Sequence, residues 1–248
     1  MKPDEILTIK GVRGTLPFEV FKPRGAGPWP AVLIIHELIG LNDDIRGIAR
    51  RFADNGYLAG CPDLMADGGR IKCVRSALES LRKGAGPTVD QLTTGIEMLR
   101  ARRDTSDVGV AGFCMGGGFA TLLATRQKLG AAAVFYGDIR PSEELKNACP
   151  IVGGYGGKDK AYRSKGEKLK QRLTQYGIPN DIAIYPDAVH SYMNRGVSPL
   201  MAALIRPVLT VAYNEAAAED SWSRMLGFFG EHLRKEREAI SVGEHQTS

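Results

Sequence analysis

Three side chains of the types that cooperate in acyl transfer stand at Cys114, Asp159 and His190, in that order along a chain of 248 residues. A thiol attacks an acyl carbon once a base takes its proton or a cation holds it as thiolate. An imidazole is such a base, and a carboxylate orients the imidazole and supports its charged form. Cys114 lies in Gly112-Phe113-Cys114-Met115-Gly116, which is the nucleophile-elbow pattern with Cys in place of Ser. In such an elbow the nucleophile sits on a tight turn, so the residues two before and two after it must be small. The helix that follows aims its N-terminus at the site and favours negative charge there, here a thiolate.

The same turn admits other readings. A buried structural cysteine in a strand–helix turn would look alike. A phosphate-binding loop is also rich in glycine, but Gly112, Gly116, Gly117 and Gly118 do not have the G-x-G-x-x-G spacing, and no Gly-Lys-Ser/Thr follows. The surrounding elements have to decide.

Residues 5–10 and 15–21 read as two short antiparallel strands, followed by a Pro/Gly-dense loop over 22–28. Residues 30–35 are continuously apolar and β-branched, the pattern of a strand buried on both faces. Asn42-Asp43-Asp44 offers a helix N-cap, Ile45, Ile48 and Phe52 follow at helical spacing, and Asn55-Gly56 stops the helix. A strand over 57–61, a loop over 65–72 and helices over 73–82 and 88–103 come next. Residues 107–111 form the strand that feeds the elbow, and the helix behind it buries Met115, Phe119, Leu122 and Leu123. Strands over 131–136, 150–155 and 181–185 alternate with a helix over 161–177. Residues 191–210 are irregular, a helix spans 217–235, and the tail 240–248 is polar and expected to be flexible. Alternating strands and helices predict a mostly parallel central sheet with helices on both faces. Without repeat, linker or composition break, residues 1–248 are expected to form one domain.

In an open α/β sheet, sites form at the carboxyl ends of strands. Those ends carry His36, Glu37, Asp63, Cys114, Asp159 and His190. The other histidines, His232 and His245, fall in the last helix and the tail. Asp181 and Asp187 are rival acids, but they lie in the wrong topological slot. The order nucleophile, acid, histidine is that of the α/β-hydrolase fold. Backbone N–H groups of Met115, just after the nucleophile, and of the turn around Leu38 would form the oxyanion hole. His36 reads as an orienting or packing residue, and Cys61, Cys73 and Cys149 as small apolar fillers.

Composition narrows the function classes. The net charge of +5 comes from basic residues spread along the chain, with no basic block interleaved with aromatics, so nucleic-acid binding is not expected. No run approaches a membrane span or a signal peptide, and the cysteines suit neither a zinc site nor a disulfide framework. The reading is a cytoplasmic protein with reduced thiols, acting on a small molecule without metal or cofactor.

These residues together resemble the dienelactone hydrolase family, from about residue 15 to about residue 235. The marks are His36-Glu37-Leu38-Ile39-Gly40-Leu41-Asn42, Ile45-Arg46, Ala49 to Ala53, Gly56-Tyr57, Pro62-Asp63-Leu64, the cysteine elbow, Tyr185-Pro186 with His190, and the last helix with Trp222 and Phe228-Phe229. The resemblance implies a Cys114–Asp159–His190 triad, hydrolysis of an enol-lactone through an acyl-thioenzyme, and a role for Glu37 as a second base that controls the thiol proton. It also implies arginines that hold a substrate carboxylate, one of them four residues after the histidine. Here that position is Asn194, with Arg195 next, so these two are the candidate substrate contacts. Arg70 and Arg75 are further candidates for an anion contact, and residues 191–215 are long enough to form part of a lid. The competing reading is a non-catalytic protein of the same fold that binds a small ligand.

Overall fold

The computed structural model describes residues 1–195 and 210–233. Its eight strands form one sheet in the order β1-β2-β4-β3-β5-β6-β7-β8. β1 (Glu5–Lys10) and β2 (Thr15–Phe21) are the antiparallel hairpin, and β2 also runs antiparallel to β4 (Leu58–Pro62). β3 (Trp29–Ile35), β4, β5 (Thr105–Phe113), β6 (Ala132–Phe135), β7 (Ile151–Gly156) and β8 (Asn180–Tyr185) are parallel to one another. This is the α/β-hydrolase fold.

The pleat sorts the strand side chains into two layers. Ala31, Leu33 and Ile35 of β3 face one side of the sheet, while Val32 and Ile34 face the other. The first layer is covered by α3 (Pro87–Arg100) through Leu92, Ile96 and Leu99, by α4 (Met115–Ala124) through Phe119, Leu122 and Leu123, and by α6 (Arg163–Gln175) through Leu169 and Leu173. The second is covered by α1 (Asp43–Asp54) and α7 (Glu215–His232), whose Phe52, Trp222 and Phe229 rings pack together. Asn42 caps α1, its Oδ1 accepting from the Ile45 N–H at 3.0 Å. No described helix is long and apolar enough to cross a membrane.

Several boundaries differ from the sequence reading for local reasons. α2 (Arg70–Lys83) takes in the end of the expected loop 65–72. Gly68 and Gly69, at φ of +89° and +106°, end the loop, and the exposed first turn Arg70-Ile71-Lys72 carries no apolar stripe to announce the helix. α3 stops at Arg100 instead of 103, where an Arg102–Asp104 pair organises the turn into β5. The four-residue α5 (Ser142–Leu145) had no sequence signal, and Glu144 holds it to Arg140 and Arg126. α7 begins two residues early because Asn214 caps it. Residues 196–209 of the expected lid, the end of the helix expected over 217–235 and the tail 240–248 lie outside the described residues.

Candidate active site

The site gathers at the carboxyl ends of β3, β5, β7 and β8. After β3 the chain turns through His36 to Gly40. The buried His36 donates from Nδ1 to the Glu37 carbonyl at 2.6 Å, and its Nε2 accepts from the Leu64 N–H at 3.1 Å. Burial pushes the His36 pKa down, which favours the neutral ring these two bonds require. His36 therefore ties the turn that presents Glu37 and Leu38 to the loop after β4. It is the orienting residue expected from the sequence.

At the end of β5 the backbone of Cys114 has φ +55° and ψ −114°, a strained conformation for a non-glycine residue. The glycines are needed on steric grounds. A Cβ on Gly112 would come within 2.0 Å of the Gly116 carbonyl oxygen, and one on Gly116 within 2.0 Å of the Ile35 carbonyl oxygen. Strand β5, strand β3 and helix α4 meet too closely here for any side chain. The thiol is half-buried. Burial, then the Glu37 charge, then the Asp159 charge push its pKa up, and only the Met115 backbone N–H at the start of α4 favours the thiolate. The surroundings of Cys114 therefore disfavour its thiolate.

Asp159 follows β7 and His190 follows β8. The Asp159 Oδ1 accepts from the Ala161 and Tyr162 N–H groups, each at 3.2 Å, which fixes the carboxylate. Its Oδ2 then meets His190 Nδ1 at 2.7 Å, with both side chains buried. Nδ1 donates to the carboxylate, and in the neutral ring that leaves the lone pair on Nε2. That Nε2 is buried and has no hydrogen-bond partner among the described residues. Such an atom costs free energy unless something arrives to use it. The Tyr162 and Tyr136 rings stand 4.8 Å and 5.1 Å from the imidazole and fix its plane.

Glu37 is 5% exposed, and its Oε1 accepts from the Ser191 hydroxyl at 2.6 Å. Burial raises its pKa to about 7, Ser191 opposing and the nearby Asp44 adding to the rise. Asn194 is buried, donates from Nδ2 to Asp44 Oδ2 at 2.9 Å, and accepts at Oδ1 from the Tyr136 hydroxyl. The Arg195 guanidinium lies 4.3 Å over the Tyr213 ring and donates to its hydroxyl at 2.7 Å. Arg70 donates to the Ile39 carbonyl at 2.6 Å, and Arg75 lines a cleft of about 480 Å³ with Arg13 and Lys72.

The structure thus brings Cys114, Glu37, Asp159 and His190 to neighbouring strand ends, with Leu38 in the turn after β3 and Met115 opening α4 directly after the cysteine. The described hydrogen bonds take Asn194 and Arg195 to protein partners. Three residues that the sequence reading did not place at the site belong here: Ser191, Tyr136 and Asp44. Ser191 was findable as the immediate neighbour of His190, and Tyr136 as the residue at the carboxyl end of β6. Among the described residues, the non-glycine positions at positive φ are Cys114, Tyr136 and Ser191. All three sit at this site, where strain is maintained by its surroundings.

The model of the dienelactone hydrolase family matches residues 17–233. A relative from Yersinia pestis named "Putative carboxymethylenebutenolidase" is 30% identical over 245 residues, covering 91% of this chain and 87% of its own length. One of the same name from Saccharolobus solfataricus is 31% identical, covering 81% and 89%. Among solved structures, the "Putative Dienelactone Hydrolase" of Klebsiella pneumoniae is similar with a TM-score of 0.72 at 25% identity, covering 91% of this chain and 97% of that one. A dienelactone hydrolase-like promiscuous phosphotriesterase from metagenomic libraries shares the fold, with a TM-score of 0.78 at 22% identity and coverage of 92% and 98%.

Proposed function

The chain belongs to the dienelactone hydrolase family and is an ester-bond hydrolase, and from that premise we propose that it cleaves a small lactone or carboxylic ester with Cys114 as nucleophile. The observation that carries this reading is the buried His190 Nε2, unpartnered while Nδ1 is fixed on Asp159 at 2.7 Å. An imidazole held in that tautomer is a proton acceptor waiting for a donor.

The Cys114 thiol gives its proton to His190 Nε2, and Asp159 stabilises the imidazolium that forms. Glu37 is a second acceptor for that proton. The sulfur attacks the acyl carbon, and the carbonyl oxygen becomes an oxyanion facing the Leu38 and Met115 N–H groups. The C–O bond to the leaving oxygen breaks, that oxygen takes the proton from His190, and a thioester remains on Cys114. Water then gives a proton to His190 and attacks the thioester. The carboxylic product leaves and the sulfur recovers its proton. A lactone opens in the first half and stays attached until the second.

Cys114 rather than Ser suits a site whose second carboxylate raises the energy of the anionic nucleophile, because a thiol ionises far more readily than a hydroxyl. The test is a hydrolysis screen over enol-lactones, aryl esters and larger lactones, with the wild type and Cys114→Ala side by side. The variant should lose at least about a thousandfold in kcat/KM. Full turnover by Cys114→Ala would end the proposal.

A further inference from the structure

A cleft of about 480 Å³ opens between the β1–β2 turn, the loop after β4, α2 and α3. That volume suits a small molecule. None of Cys114, Glu37, Asp159 and His190 lines it. Helix α2 packs Leu81 toward α4, the helix that opens after Cys114: a Cβ on Gly118 would come within 2.8 Å of Leu81 Cδ2. Its Lys72, Ser76 and Glu79, at i, i+4 and i+7, follow one another along a different face and line the cleft. We propose that this cleft binds a small organic oxyanion, a carboxylate or a phosphate monoester, at a site separate from Cys114.

Three cations line the cleft: Arg13 from the β1–β2 turn, and Lys72 and Arg75 from α2. Among the described residues, neither Lys72 nor Arg75 makes an ion pair or a side-chain hydrogen bond. The two acids of the cleft are already engaged. The buried Asp67 carboxylate accepts from the Val12 and Arg13 N–H groups at 2.6 Å and 2.8 Å, and from Gln91 Nε2 at 3.4 Å. Glu79 is paired with Lys83 at 2.6 Å, and Arg75 acts on it through its charge alone. Three cations against two acids leave a positive surplus. Asp67 also builds the cleft. Its carbonyl accepts from Arg13 Nη1 and from the Cys73 thiol, each at 3.2 Å, so one loop holds both the hairpin turn and the start of α2. Thr88 of α3 lines the cleft at 4% exposure, and its hydroxyl makes no hydrogen bond among the described residues. A buried hydroxyl in that state is open to a ligand oxygen. Arg and Lys make their strongest hydrogen bonds to carboxylate and phosphate oxygens. Val12, Leu64 and Pro87 supply apolar wall, so the molecule that fits has a carbon frame behind its charged head.

The probes are benzoate, phenylphosphonate as a stable stand-in for a phosphate monoester, and benzamide, which keeps the ring without the charge. Each is titrated calorimetrically into the full chain at fixed ionic strength. At least one of the two anions should bind at one site per chain with a Kd of about 1 mM or below, and benzamide should not saturate. The tighter of the two anions identifies the head group. Lys72→Gln and Arg75→Gln should each weaken binding by about tenfold, and Thr88→Val severalfold. Lys170→Gln, at an exposed lysine of α6, should leave binding unchanged. Far-ultraviolet circular dichroism of each variant confirms that it is folded. No saturable binding of either anion overturns the proposal. So does benzamide binding as tightly as the anions, or anion binding that survives in the Lys72→Gln/Arg75→Gln double variant. None of these results bears on the nucleophile, which Cys114→Ala tests separately.

Discussion

Glu37 is the residue on which the chemistry and the stability of this site meet. Its carboxyl is held up at about 7 by burial, so the folded chain binds this proton more tightly than the unfolded chain does. Stability from this group is complete below the ordinary glutamate value of about 4.5 and is lost as pH rises to about 7. The span corresponds to a loss on the order of 3 kcal/mol. Glu37→Gln, which cannot ionise, should flatten that slope. Urea unfolding at several pH values across the interval should show the variant gaining on the wild type as pH rises, and parallel curves would rule the shift out. The same variant removes the negative charge with the largest effect on the sulfur, so Cys114 should alkylate severalfold faster above neutral pH. A rate below that of the wild type would mean that Glu37 assists the thiolate instead of opposing it.

At the scale of elements, the elbow works because β3, β5 and α4 approach until only hydrogen fits between them. Gly116→Ala should cost several kcal/mol, since the new methyl would meet the Ile35 carbonyl oxygen at 2.0 Å and neither strand nor helix can retreat. Chemical denaturation measures this directly, and a loss under about 1 kcal/mol would mean that the elbow is looser than described. This much was legible in the sequence, because a steric requirement leaves a residue type behind: G-x-C-x-G, apolar runs for the buried strands, and Asn42 ahead of α1. The slots of Asp159 and His190 were legible too, since each follows a strand. Other features leave no such trace. The positive φ of Tyr136 and Ser191 sits on residue types that do not announce it. The Asp44–Asn194 contact spans 150 positions and the Tyr136–Asn194 contact 58, and neither pair has a local pattern. The start of α2 was hidden because its first turn faces water and so lacks the periodicity that marks a helix.

At the scale of the whole molecule, the sheet is a partition with a packed layer on each side, and the strand ends that carry the candidate site hold their spacing only while both layers do. The layer under α1 and α7 centres on Phe52, fully buried, with its ring 5.1 Å from Trp222 and 6.0 Å from Tyr57. Phe52→Ala should cost about 3–5 kcal/mol in unfolding free energy. Asp44 and Asn42 stand at the start of the same helix, so the position of Asp44 near Glu37 depends on this packing. The central claim, that this architecture delivers Cys114 to an acyl carbon, is tested most directly by quenching the enzyme in acid during turnover of an aryl ester and measuring the mass of the peptide that contains Cys114. The account predicts that peptide to carry the acyl group, with no such adduct on Cys61, Cys73 or Cys149. Steady hydrolysis with Cys114 unmodified, or with the acyl group on another residue, would contradict it.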